Sequence, residues 1–253
     1  MKNNLTVVIL TKNEENNIEK VVGNAQKVAE EILIIDSGST DKTVELAQKA
    51  GAKVAFRKWD NDFAAQRNFA LDYIDTLWVL YLDADEILDD TLIKQIRQVI
   101  DGNTDQQYSM LRRIHAFGFE HKHGIFKPDE VTRLFKAKKV RWENKVHERP
   151  ICSLPKKRLE GYIEHYTYSS WQDWWRKAGQ YTSIWAEEAY RKNKKTTKAG
   201  AFYHAVYGLF RAYILELGFM DGWSGLYSSL QHFIYTLMKY LKLHELYIRN
   251  SKK

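Results

Sequence analysis

Short apolar runs alternate with helix-length segments through the first hundred residues. The runs are LTVVIL (5–10), EILIID (31–36), AKVAF (52–56) and LWVLYL (77–82). Between them lie IEKVVGNAQKVA (18–29), TVELAQKAG (43–51) and FAAQRNFALDYI (63–74), which have the pattern of helices, with Gly51 as the C-terminal stop of the second. This alternation predicts βαβ units, and therefore a parallel sheet covered by helices. Trp78 to Leu82 read as a strand buried on both faces, and the strand leads directly into Asp83, Asp85 and Glu86.

After a fourth helix at TLIKQIRQVI (91–100), the pattern turns to strand-like stretches, YSMLRRIHAF (108–117) and VTRLFKA (131–137), set between glycines and charged turns. From Ser170 it becomes helical, and Ser170 and Asp173 have the spacing of a capping box. Phe202, Val206, Phe210 and Leu217 recur at helical intervals, as do Leu226, Leu230, Phe233, Leu237 and Leu241, which predicts two further amphipathic helices. The expected organisation is an α/β domain over 1–168 and a helical carboxyl-terminal extension over 169–253, without internal repeats.

At 253 residues and 44% hydrophobic content the chain can bury a large core, which excludes general disorder. Its net charge of +7 favours anionic partners: nucleotides, acidic glycolipids, membrane surfaces or nucleic acid. The single cysteine, Cys152, excludes an internal disulfide framework and fits a reducing cytoplasm. The first apolar run is only about six residues, too short for the core of a signal peptide, so export is not expected. Residues 201–220 are long enough to span a bilayer but would place His204, Arg211 and Glu216 inside it, so a transmembrane helix is not expected either.

Ligands of open parallel sheets bind beyond the carboxyl ends of the strands. The first strand ends in TKNEEN, which has no glycine, so a G-x-G-x-x-G dinucleotide loop is absent, and the Walker pattern is missing as well. The second strand ends in DSGSTDKT (36–43). Asp36 has a carboxylate suited to ribose or base, and Gly38 allows close backbone approach; the octapeptide reads equally as a polar loop that caps the next helix. Without a glycine cradle, a diphosphate needs another source of positive charge. The DAD of residues 83–85 can supply it by holding Mg²⁺ or Mn²⁺. An isolated D-x-D is more often a solvated turn, but this one ends a buried strand beside two other polar strand ends. A phosphatase of the haloacid dehalogenase type also carries D-x-D after an apolar strand; there the strand begins the domain, whereas here three βα units precede it.

VVILTKNEENNI, ILIIDSGSTDKTVELA, FAAQRNFAL and WVLYLDADEIL, in that order, closely resemble the nucleotide-binding half of family 2 glycosyltransferases with the GT-A fold. Within that family the chain is most similar to bacterial lipopolysaccharide or lipooligosaccharide core β-1,4-glucosyltransferases. The motifs cover about residues 5 to 90, and RLF and VHE extend the likeness to about 150. The resemblance implies a Rossmann-like mixed sheet flanked by helices, and inverting, metal-dependent transfer of a sugar, glucose from UDP-glucose favoured, onto an inner-core heptose.

By position, the resemblance implies that Thr11, Glu14 and Asp36 contact uridine and that Arg67 and Asn68 lie near the sugar diphosphate. Asp85 is the implied direct ligand of Mg²⁺ or Mn²⁺, Asp83 is implied at ribose or a metal-bound water, and His165 or His147 is a candidate to complete the coordination. Many members of the family carry the catalytic base in an ED dipeptide, which this chain lacks beyond its D-x-D. Glu148 of VHERP is the chosen base, against the alternative of a surface ion pair with Arg149. Asp129 and Glu130 are replacements, and Arg133 is a candidate acceptor or phosphate contact. Arg67 also reads as a helix-surface charge.

The basic run RKNKKTTK (191–198) and the two amphipathic helices after it match interfacial attachment. The expectation is a peripheral protein on the cytoplasmic face of the inner membrane, acting on a lipid-linked core oligosaccharide, with a homo-oligomer through the helical tail as the rival reading. Nucleic acid is set aside because the basic residues are scattered and carry no recognition motif.

Overall fold

A computed structural model describes residues 4–145 and 148–251. The chain divides into two compact units: residues up to Arg112 with Asp129–His165, and Arg113–Pro128 with the chain from Tyr166 onward.

The first unit opens with the predicted alternation: β1 (Leu5–Thr11), α1 (Ile18–Ala25), β2 (Glu31–Asp36), α2 (Thr43–Lys49), β3 (Lys53–Phe56), α3 (Phe63–Ala70) and β4 (Trp78–Asp83). A short β5 (Glu86–Leu88) and α4 (Asp90–Gly102) come next, then β6 (Gln107–Ala116), β7 (Phe119–His121), which belongs to the second unit, β8 (Asp129–Lys136), β9 (Arg141–Glu143), β10 (Arg149–Ile151) and β11 (Lys156–Tyr168). The main sheet runs β3-β2-β1-β4-β8-β6-β11-β5, with β7 paired to β6. β3, β2, β1 and β4 are parallel, while β8 joins β4 antiparallel and β5 joins β11 antiparallel. This is the expected mixed sheet flanked by helices.

Alternate residues of the parallel strands feed opposite faces. Val7, Ile9, Ile34, Leu80 and Leu82 pack with Ile18 and Val22 of α1 and Leu92 and Ile96 of α4. Val8, Ile35, Val79 and Tyr81 pack on the other face with Ala64 and Ala70 of α3 and with Phe135 and Trp142. All five residues Trp78 to Leu82 are 0% exposed, as their sequence predicts. Asp62 and Asp89 cap α3 and α4, accepting hydrogen bonds from Ala65 N at 2.8 Å and Leu92 N at 2.7 Å. Asp89 also accepts from Tyr162 N at 3.0 Å, drawing β11 so close to α4 that a Cβ on Gly161 (φ +96°) would meet Leu92 N at 2.5 Å.

The second unit holds α5 (Trp171–Arg191), α6 (Lys198–Phe210) and α7 (Gly222–Ser251). Ser170 caps α5 as predicted, its Oγ accepting from Asp173 N at 3.2 Å. Ala186 and Ala189 of α5 pack against Leu243 of α7, and Lys242 donates to Gly179 O at 2.7 Å and Thr182 Oγ1 at 2.8 Å. α6 runs on into a π-helical turn at 211–215. No helix among the described residues is long and apolar enough to cross a membrane.

Asp221 ties this unit together: it accepts from Lys122 N at 2.8 Å and His123 N at 2.9 Å, and its other oxygen lies 2.6 Å from His123 Nδ1. Burial works to raise its carboxyl pKa, but the hydrogen bonds from His123 and Lys122 outweigh it, and the group sits below the usual carboxylate range. Such a group stabilises above its unfolded value of about 3.9, and that contribution is lost as pH falls through the folded value. Asp221→Ala is therefore expected to cost about 2 kcal/mol at pH 7 in denaturant melts, with the gap from the parent closing below about pH 4.

Candidate active site

The loops after β1 and β2 are stitched to each other. Asp36, 3% exposed, accepts from Gly38 N at 2.8 Å, Ser39 N at 2.9 Å and Thr11 Oγ1 at 3.3 Å. Gly38 takes φ +99°, the turn its position in DSGSTD suggests. Across the gap, Asn13 N donates to Ser39 Oγ at 2.9 Å, Thr40 N to Asn13 Oδ1 at 2.8 Å and Glu14 N to Thr43 Oγ1 at 2.7 Å. Thr11, Glu14 and Asp36 thus share one polar edge at the carboxyl ends of β1 and β2. The Glu14 side chain accepts from Asn17 Nδ2 at 2.8 Å.

Beside this edge, β4 ends in a chain of alternating charge. Arg67 of α3 is 2% exposed, with its guanidinium 4.8 Å from the Trp142 ring centroid. It donates to Asp83 Oδ1 at 2.9 Å and to Glu148 Oε1 at 3.2 Å. Arg133 of β8 takes the other Asp83 oxygen at 3.0 Å and reaches Glu86 Oε1 at 3.3 Å. Glu86, 0% exposed, also accepts from the Asp83 backbone N at 2.9 Å and from Arg112 at 3.4 Å. Arg112 forks Asp129 at 3.0 and 2.8 Å. Burial alone would raise the Asp83 pKa, but the charges of Arg133 and Arg67 drive it far below the carboxylate range. Burial likewise opposes the Arg133 charge, while Asp83 and Glu86 hold it on.

Asp85 sits outside this chain. The antiparallel pairing of β5 with β11 sets His165 opposite Glu86, and His165 Nε2 lies 3.3 Å from Asp85 Oδ2. Burial lowers the His165 pKa, but hydrogen bonding to Asp85 and its charge raise it more, so the ring sits above its ordinary value. His165 Nδ1 is buried and has no hydrogen-bond partner among the described residues.

The remaining sequence candidates fall as follows. Asn68 clasps the backbone of β9, donating to Trp142 O at 2.8 Å and accepting from Trp142 N at 2.9 Å, so its amide is engaged within the fold. Arg67 is buried rather than a helix-surface charge. Glu148 pairs with Arg67, whereas Arg149 pairs with Glu143 at 3.6 Å. The side chain of Asp129 is 49% exposed, and Glu130 pairs with Lys156 at 3.1 Å. His147 lies outside the described residues. Arg112 was not among the candidates, because nothing in YSMLRRIHAF marks which arginine faces the acids.

The donor set admits a divalent cation in part. Among the described residues no group of three or more His, Cys, Asp or Glu is placed to hold one. Asp85 and His165 offer a carboxylate and an imidazole side by side, while both oxygens of Asp83 are turned to arginines. A hard cation held by one or two protein ligands takes the rest from substrate phosphate and water, which suits this pair.

Residues 6–156 match the family described as Glycosyl transferase family 2, more than half of the chain. The chain belongs to glycosyl transferase family 2. This glycosyltransferase is 26% identical, over 96% of its length and 85% of the relative's, to an uncharacterized glycosyltransferase of Rickettsia bellii. Among solved structures, it is similar to glucosyl-3-phosphoglycerate synthase from Mycobacterium tuberculosis in complex with Mn²⁺, uridine diphosphate and glucosyl-3-phosphoglycerate, at 22% identity and TM-score 0.35 over 46% of this chain and 45% of that one. It is also similar to S. aureus TarS, at 14% identity and TM-score 0.47 over 93% of this chain and 49% of that one. It therefore spans less than half the length of either solved chain.

Proposed function

We propose that this glycosyltransferase moves a hexose, glucose favoured, from its UDP donor onto a lipid-linked core saccharide with inversion at the anomeric carbon, using a divalent cation. The observation that carries the reading is the placement of the Asp85 and His165 pair beside the arginine-clamped Asp83, at the carboxyl ends of β1, β2 and β4. That is the edge where an open α/β sheet takes its ligand. The preference for glucose and for an inner-core heptose rests on the sequence motifs.

Thr11, Glu14 and Asp36 line the edge for the nucleoside, with Gly38 keeping the loop clear of bulk. Arg67 and Arg133 hold Asp83 ionised in place and set positive charge behind it for the diphosphate. Asp85 and His165 would hold Mg²⁺ or Mn²⁺, which supplies positive charge against the departing UDP. Glu148 takes the proton of the acceptor hydroxyl as that oxygen attacks the anomeric carbon, and the bond to the β-phosphate oxygen breaks with its electrons leaving on UDP. Both Arg67 contacts fall on Glu148 Oε1, so Oε2 is the oxygen we propose for taking up the proton. Asp129, forked by Arg112, is the replacement base; Glu148→Gln with full turnover would transfer the role to it.

The direct test is a panel of UDP-sugars, with and without Mn²⁺ or Mg²⁺, against core acceptors truncated at the inner-core heptose. UDP release from UDP-glucose that needs both cation and heptose acceptor is the expected result. Turnover unaffected by chelation removes the cation from the reading, and a different donor or acceptor requirement removes the glucose or heptose.

A further inference from the structure

The α6 helix and the turn after it are built inside out. Ala201, Ala205, Gly208 and Ala212 form its buried stripe, and Gly208 lies so close to α7 that a Cβ there would meet the His232 ring at 3.3 Å. The large side chains of the same segment face outward. Phe202, Tyr203, Tyr207 and Phe210 on α6 are all about half exposed or more, and Phe219, Met220 and Trp223 follow at the turn, Trp223 at 79%. A helix designed for water on its outer face does the reverse, burying its largest apolar groups and exposing small or charged ones. So many exposed aromatics within about two turns and a loop exceed the scattered apolar residues of an ordinary surface.

The charge around this face selects its partner. Between residues 187 and 216 there are six Lys or Arg against three Glu; Arg191, Lys192 and Arg211 pair with Glu187, Glu188 and Glu216, and the segment keeps a net charge of +3, carried by Lys194, Lys195 and Lys198. Lys192 and Lys195 stand just before α6, and Lys198 opens it. A second copy would bring the same positive strip against itself, whereas an anionic surface neutralises it. Tyr203, Tyr207 and Trp223 each join an apolar body to a polar tip, the form suited to a boundary between hydrocarbon and water. No helix among the described residues is long and apolar enough to cross a membrane, so such a face lies in the interface.

We infer that the outward face of α6 together with the 217–223 turn is the membrane-docking surface of this protein, seated in the headgroup region of a bilayer rich in anionic phospholipid. The inference deepens the reading of a lipid-linked acceptor and rests on it for its purpose, while the surface itself is argued from α6 and the turn alone.

The experiment is sedimentation of the full chain with vesicles of phosphatidylcholine alone or with added phosphatidylglycerol. The parent is expected to pellet with the anionic vesicles and to be released by high salt. Phe210→Ser/Phe219→Ser/Trp223→Ser should weaken that binding at least tenfold, and Lys192→Gln/Lys195→Gln/Lys198→Gln should weaken it for anionic vesicles only. All six positions are on the surface, and circular dichroism melts confirm that the variants fold. Parent-like pelleting of the aromatic triple variant overturns the inference, as does a parent that ignores vesicles but forms a dimer the same variant dissociates. UDP release from donor and a soluble truncated acceptor, measured on the same samples, separates the two readings: its absence in the parent counts against the transfer reaction, and vesicle binding decides the surface.

Discussion

Asp85→Ala is expected to lower UDP release by about 10²- to 10³-fold while leaving the melting behaviour close to the parent's. The size follows from the position proposed for Asp85. A preorganised group aimed at charge that develops on a leaving group contributes about 3–4 kcal/mol, which is that factor in rate. Its small structural effect follows from its surroundings. Asp85 lies in the two-residue turn between β4 and β5, outside both hydrophobic clusters, and its ion-pair partner is His165. Once Asp85 is gone, the largest influence on the His165 ring is burial, which favours the neutral form, so the variant leaves no uncompensated buried imidazolium. The change in stability is expected to stay within about 1 kcal/mol. Initial rates at several Mn²⁺ concentrations, with a thermal melt of the same protein, read both halves. Undiminished turnover in a folded variant removes Asp85 from the reaction, and a large loss of stability recasts it as structural.

The parallel half of the sheet was legible because three of its four strands are short apolar runs closed by a polar, chemistry-bearing end; β3, which ends at the exposed Phe56, is the exception. LTVVIL, EILIID and LWVLYL needed little long-range information, since at least one face of each is buried by helices near it in sequence. The same locality made the two strand-end loops readable, and Gly38 of DSGSTD occupies the positive-φ turn its type suggests. The contacts that complete the acidic end of β4 were not legible. β5 is three residues long, too short for periodicity to register, yet its pairing with β11 is what carries His165 to Asp85 across about eighty residues. Arg112 reaches Asp129 because β6 and β8 pair in a register that slips at Tyr108 and Ser109, and no local pattern encodes that slip. Glu86 is harder still: glutamate is almost never fully buried unless paired, and its partners are arginines from two distant strands. α6 misleads in the opposite sense. Its aromatic spacing announced an amphipathic helix, but the spacing alone did not reveal that the small residues form the inner face.

Those buried arginines set the largest stability effect expected in the first unit. Arg133→Met is expected to cost about 3–5 kcal/mol, the range for removing one partner of a buried ion pair. Methionine keeps much of the packing volume and supplies no charge, so the effect isolates the electrostatics. The side chain of Arg133 is 7% exposed and bridges Asp83 at 3.0 Å and Glu86 at 3.3 Å. Without it, among the described residues the fully buried Glu86 carboxylate keeps the longer contact to Arg112 and the backbone hydrogen bond from Asp83. Asp83 keeps Arg67. The pH dependence has a definite sign: the Asp83 pKa is depressed by these guanidiniums, so their contribution is present above about pH 4 and fades as acid protonates the carboxyl. Urea melts should therefore show a large difference between variant and parent at pH 7 and a smaller one near pH 3, with the parent losing more. A double variant, Arg133→Met/Glu86→Leu, removes the orphaned charge together with its partner and should recover part of the loss, giving a coupling energy of about 1 kcal/mol or more. Equal losses in the single and double variants would mean that Arg112 alone satisfies Glu86, and the network would then serve to aim Asp83 rather than to stabilise the sheet.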